Sequence, residues 1–68
     1  MIKVGQIYKY DKDILFVISG ITPTTLYGIF NNGVGNSFII KNFENIKWKM
    51  IAEYPTWQEA VNSKEFNE

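Results

Sequence analysis

Sixty-eight residues without cysteine, histidine or arginine, and with seven lysines against seven carboxylates, make a short chain of zero net charge. Those absences exclude thiol and imidazole catalysis, the usual transition-metal sites and bidentate phosphate clamping. They also leave no disulfide or structural zinc to staple the fold, and the charge balance argues against electrostatic attachment to bulk nucleic acid or an anionic membrane.

A chain this short buries only about 60% of the surface its unfolded form exposes, so its core must be rich in large side chains. Eleven aromatics and ten isoleucines supply them. The opening MIKVGQIY lacks the apolar core of a secretory signal, and no run reaches the length of a membrane span. The expectation is one soluble cytoplasmic domain over residues 1–68, with no cofactor. Ile, Asn, Lys, Phe and Tyr dominate the composition, and their AT-rich codons point to a low-GC bacterium or one of its phages.

Residues 4–10 (VGQIYKY) read as a strand with Ile7 and Lys9 on one side and Gln6, Tyr8 and Tyr10 on the other. Gly5 permits a bend or bulge at its start. Asp11, Lys12 and Asp13 form a tight turn into residues 14–21 (ILFVISGI). Five consecutive apolar side chains in that run, Ile14 to Ile18, leave neither face for water. This is the central strand, buried on both sides. Gly20 marks a bulge near its end, and Pro23 breaks the pairing because it has no N–H to donate.

Residues 25–30 (TLYGIF) form the third strand, and the Asn-Gly turn after it leads into a fourth over residues 37–41 (SFIIK). A short connection, NFEN, precedes a fifth strand over residues 46–53, in which Ile46, Trp48 and Met50 share one face and Lys47 and Lys49 the other. The period then changes. Thr56 and Glu59 fit a capping box, and Trp57, Ala60 and Val61 form one stripe of a short helix over residues 57–63. Asn67 and Glu68 are expected to fray. The fold class is mainly β: a small antiparallel barrel or strongly bent sheet of about five strands, with a C-terminal helix.

The opening VGQIYKY, its polar turn and ILFVIS resemble the start of many small SH3-like barrel proteins encoded by bacterial phages and prophages, and YPTWQEAVNSKEF is similar to their short C-terminal helices. The resemblance covers about half the chain. It implies an SH3-like barrel of phage or prophage origin and carries no specific activity with it; if the chain is phage-encoded, a host protein is the expected partner. Residues 7–11 (IYKYD) also resemble the ALYDY segment of eukaryotic SH3 domains in the spacing of Tyr8 and Tyr10. The adjacent Trp pair and the Pro-Ser-Asn-Tyr segment of those domains are missing, so the proline-groove function does not carry over.

The loop at residues 31–36 lacks the Lys-Ser/Thr of a phosphate loop and precedes a strand, which makes it a hairpin turn. Asp11 and Asp13 offer too few ligands for calcium, and no carboxylate pair is spaced for acid–base work, so the chain is not expected to be an enzyme. The reading that remains is a protein-interaction module with Tyr8, Tyr10 and Tyr54 as contact residues, monomeric or weakly homodimeric. The alternative is a single-stranded nucleic-acid-binding barrel using Lys41, Lys47 and Lys49. Strand alternation works against it, because it turns Trp48 into the core and away from any base.

Overall fold

A computed structural model describes residues 1–67, and Glu68, part of the expected fraying end, lies outside them. The chain forms β1 (Gln6–Tyr10), β2 (Ile14–Ile21), β3 (Thr25–Phe30), β4 (Gly35–Ile39), α1 (Ile40–Asn45), β5 (Lys49–Glu53), α2 (Trp57–Val61) and α3 (Lys64–Asn67). All five strands lie in one antiparallel sheet of order β4-β3-β2-β1-β5. The mainly-β class with a C-terminal helix is as the sequence implies. Closure into a barrel is not: β4 and β5 are the two edges of the sheet.

β2 shows why the apolar run Ile14–Ile18 must sit centrally. Phe16 and Ile18 point to one side, where they pack with Leu26 and Phe43. Val17 points to the other, where it packs with Ile7, Ala60 and Phe66. Helices α2 and α3 cover the second face and α1 covers the first, so both faces are dry at Phe16, Val17 and Ile18, whereas Ile14 at the start of the expected buried run is exposed, beyond the reach of these helices. Each large side chain buried in this way contributes roughly 1.5–3 kcal/mol. At Gly28 an added methyl would run into the Val17 carbonyl and the Phe16 ring, so glycine is what lets β3 lie against the aromatic core.

The first strand begins at Gln6 rather than residue 4, because Gly5 takes φ +96° and turns the chain before pairing starts. Gln6 is buried and hydrogen-bonded through both ends of its amide. Its Oε1 accepts from the Lys3 N–H (2.9 Å) and the Tyr8 hydroxyl (2.7 Å), and its Nε2 donates to the Met1 carbonyl (3.2 Å). The expected turn at residues 11–13 is present, with Asp11 at φ 59°, and the one expected over residues 31–36 is shorter, ending before β4 begins at Gly35, with Phe30 N–H donating to the Val34 carbonyl at 2.8 Å. The Gly20 irregularity appears as a register shift between Ile18 and Gly20.

Three boundaries differ from the sequence reading. The fourth strand is Gly35–Ile39, not residues 37–41, and residues 40–45 are helical where a strand end and a bare connection were expected. The reason is Phe43: one turn of helix from Ile40 seats it, 2% exposed, on Phe16 and Phe38. The fifth strand starts at Lys49 rather than residue 46, because Trp48 N–H bonds back to the Ile46 carbonyl (2.8 Å) in a tight turn. Ile46 and Met50 are therefore exposed instead of sharing a buried face.

The C-terminal helix is two short pieces, not one over residues 57–63. The Ser63 hydroxyl donates to the Ala60 carbonyl (2.6 Å), and the second piece buries Phe66 against Ile7 and Val17. Asn67 is held rather than frayed, its Nδ2 donating to the Val61 and Ser63 carbonyls. Thr56 caps α2 as expected, accepting from the Glu59 N–H at 3.2 Å. The reciprocal half differs: the Glu59 carboxylate accepts from the Thr56 hydroxyl (3.1 Å) instead of the cap's backbone N–H.

Candidate interaction surface

The face of the sheet under α1 ends in a run of aromatic rings that starts in the core and reaches the surface. Phe16, fully buried, touches Phe30, Phe38, Phe43 and Trp48 with centroids 4.7–6.1 Å apart. Trp48 stacks on Phe43 (5.0 Å, 13°), and Tyr8 meets Phe43 edge-on (5.3 Å, 89°). Tyr10, 40% exposed, leans on the outer side of Trp48 at 5.5 Å. Strand register adds apolar neighbours. Ile14 pairs with Tyr10 and Met50 with Tyr8, and both are exposed.

Tyr8, Phe43, Trp48, Ile2, Ile46 and Glu44 line a cleft of about 220 Å³. Tyr8 is oriented by its hydrogen bond to Gln6. Burial raises its phenol pKa above the ordinary value, and the negative charges of Glu53 and Glu44 raise it further. The Trp48 indole N–H is buried without a partner among the described residues, a cost of about 1–3 kcal/mol for a neutral donor.

Of the tyrosines singled out from the sequence, Tyr8 and Tyr10 stand together on this surface and Tyr54 does not. Tyr54 packs against the Ile7–Val17 cluster on the opposite face, and its hydroxyl donates to Glu65 Oε1, tying the end of β5 to α3. That hydrogen bond holds the Glu65 carboxyl below the usual carboxylate range and pushes the Tyr54 phenol above its ordinary value. A lowered carboxylate pKa stabilises the fold in full above the unfolded value and is lost as pH falls through the folded one. A raised phenol pKa stabilises in full below the unfolded value and is lost as pH rises through the folded one. Tyr54→Phe should therefore lower Tm most near neutrality, with the difference from wild type closing at both acid and strongly alkaline pH. A pH series of thermal melts checks this, and a gap that does not vary with pH would contradict it.

The lysines of the alternative reading do not form one track. Lys49 is the cross-strand partner of Lys9, on the α2 side of the sheet. Lys41 lies on α1 beside Pro23, Thr24 and Ile39. Lys47 precedes Trp48 in the turn before β5 and is exposed. Trp48 is half-buried and packs against the Phe16–Phe43 cluster, placed there by the turn before β5 rather than by strand alternation. A groove of about 420 Å³ mixes Lys9 and Lys12 with Asp13 and Glu65 around Leu15.

Phe43 and Glu44 were not read as site residues, because they fall in what looked like a bare connection. The signal available was the i, i+3 pair Ile40 and Phe43. Among the described residues no group of three or more metal-ligating side chains could hold an ion, and no helix is long and apolar enough to cross a membrane. No family model, curated protein or solved structure matches the chain.

Proposed function

We propose that this chain is a non-enzymatic protein-interaction module of the small SH3-like kind carried by phages and prophages, and that it binds a host protein through the aromatic end of its sheet. The observation that carries the reading is the continuity of Phe43, Trp48 and Tyr10 from core to surface, with Ile14, Ile46 and Met50 exposed around them. Rigid aromatic anchors backed by a packed core, set among apolar neighbours, are what protein interfaces use for most of their binding energy. The likeness of residues 4–10 and 14–19 to phage-encoded proteins supports the setting.

A pull-down from nuclease-treated extract of a low-GC bacterium, run across a salt series, tests it. Wild type should retain one defined protein at moderate salt, and a Tyr10→Ser, Met50→Ser double variant should lose it by tenfold or more. Both residues are exposed, so the variant keeps its fold. Retention that vanishes with nuclease, or a slope of log K against log salt near −2, as for about three phosphates on a single strand, would transfer the function to nucleic acid and to Lys41, Lys47 and Lys49.

A further inference from the structure

We infer that the cleft between Tyr8, Phe43 and Trp48 receives a basic side chain, lysine or arginine, of the partner protein, with Glu44 at its rim meeting the charge. The inference rests on the interaction reading above and names what that surface selects.

The first support is shape and chemistry. Phe43, nearly inaccessible, is the floor; Tyr8 meets it edge-on and Trp48 is stacked on it, so the three rings form one packed aromatic wall of the cleft. Ile2 and Ile46 complete the apolar lining. Such a site holds the methylene stem of a long side chain while its head reaches the rim, and a cation over an aromatic face is attracted by the ring quadrupole.

The second support is the sign of the charge. Among the described residues Glu44 is the one charged group lining this cleft, and the negative charges of Glu53 and Glu44 also bear on the Tyr8 hydroxyl. Two further clefts are lined by both signs, Lys9 and Lys12 with Asp13 and Glu65 in one, and Lys41 with Glu44 in the other. They select no charge. Filling the aromatic cleft with an uncharged aliphatic group would strip water from Glu44 and return nothing for it, whereas an ammonium or guanidinium head compensates the carboxylate it desolvates. The Tyr8 hydroxyl spends its proton on Gln6, which leaves its oxygen as an acceptor toward the same head.

The test is a titration of the whole, isotope-labelled chain with Nα-acetyl-lysine methylamide, followed by the backbone amides of Tyr8 and Glu44 and the Trp48 indole N–H. The comparison probe is the norleucine analogue, which has the same stem without the charge. The lysine probe should give saturable shifts at those signals in the millimolar range, and the norleucine probe should give much weaker ones. Glu44→Gln, at an exposed position, should weaken the lysine probe about two- to fivefold. Equal response to norleucine, shifts centred on Glu59 or Glu65 instead, or no saturable shift would overturn the inference. The titration needs no partner, so the two readings fail separately. A silent cleft alongside a retained host protein removes the basic side chain and leaves the module. A responsive cleft without any retained protein keeps the cation site and removes the module.

Discussion

Replacing Phe16 by alanine should destabilise the domain by about 3–5 kcal/mol, the range for deleting a buried aromatic ring. Phe16 is wholly inaccessible on the central strand and touches Phe30, Phe38, Phe43 and Trp48. Those rings come from β3, β4, α1 and the turn before β5, so one side chain joins four parts of the chain. At roughly 0.05–0.15 kcal/mol per residue, a domain of this size has a total stability of about 3–10 kcal/mol. The loss is thus comparable to the whole, and much of the variant should be unfolded at room temperature. Tyr27→Ala, on a side chain 46% exposed, is the control and should stay within about 0.5 kcal/mol of wild type. Urea melts followed by circular dichroism decide the matter. A Phe16→Ala midpoint close to wild type would mean that the aromatic cluster is not the core.

The same cluster explains what could and could not be read from the residues. β2 and β3 have the boundaries the sequence implies, because an unbroken apolar run fixes a central strand and Pro23 and Asn31-Asn32-Gly33 punctuate it. α1 is hidden because one turn of helix offers a single i, i+3 pair, and the run Phe38-Ile39-Ile40 that leads into it favours strand. The alternation in IKWKM suggested a strand with a buried face, but a pattern of period two is also produced when a turn follows one apolar residue and precedes another. Phe66 was invisible for a related reason: a four-residue helix has no periodicity to detect, and its burial depends on Ser63 and Asn67 holding the chain. At the candidate site, strand alternation is enough to place Tyr8 and Tyr10 on one face of β1. Their partners Phe43 and Glu44, and the separation of Tyr54, follow from how α1 and β5 return to the sheet, which local pattern does not encode.

Gly5→Ala should destabilise the domain by about 2–5 kcal/mol. Two effects add. At φ +96° an L-residue is strained, at roughly 1–2 kcal/mol for left-handed backbone. The added Cβ would also fall within 3.0 Å of the Tyr54 carbonyl oxygen, and an overpacked contact of that kind costs about 1–3 kcal/mol. Relief by movement is closed off. The Gly5 N–H donates to the Ile18 carbonyl (2.9 Å), and its carbonyl accepts from the Tyr54 N–H (3.0 Å), so the residue joins the end of β2 to the end of β5. Shifting Tyr54 to make room breaks the second bond and disturbs the entry to α2, whose cap, Thr56, lies two residues on. Gly20→Ala separates these effects from glycine loss in general, because there an added methyl meets nothing closer than 3.7 Å, on the Tyr27 ring. It should be close to neutral. Thermal melts of the two variants, with hydrogen exchange at the Tyr54 amide, provide the readout: Gly5→Ala should melt far lower and lose protection at Tyr54, and Gly20→Ala should do neither. Equal melts for the two would show that the backbone at Gly5 relaxes freely, and that the bridge from β2 to β5 contributes little to the fold.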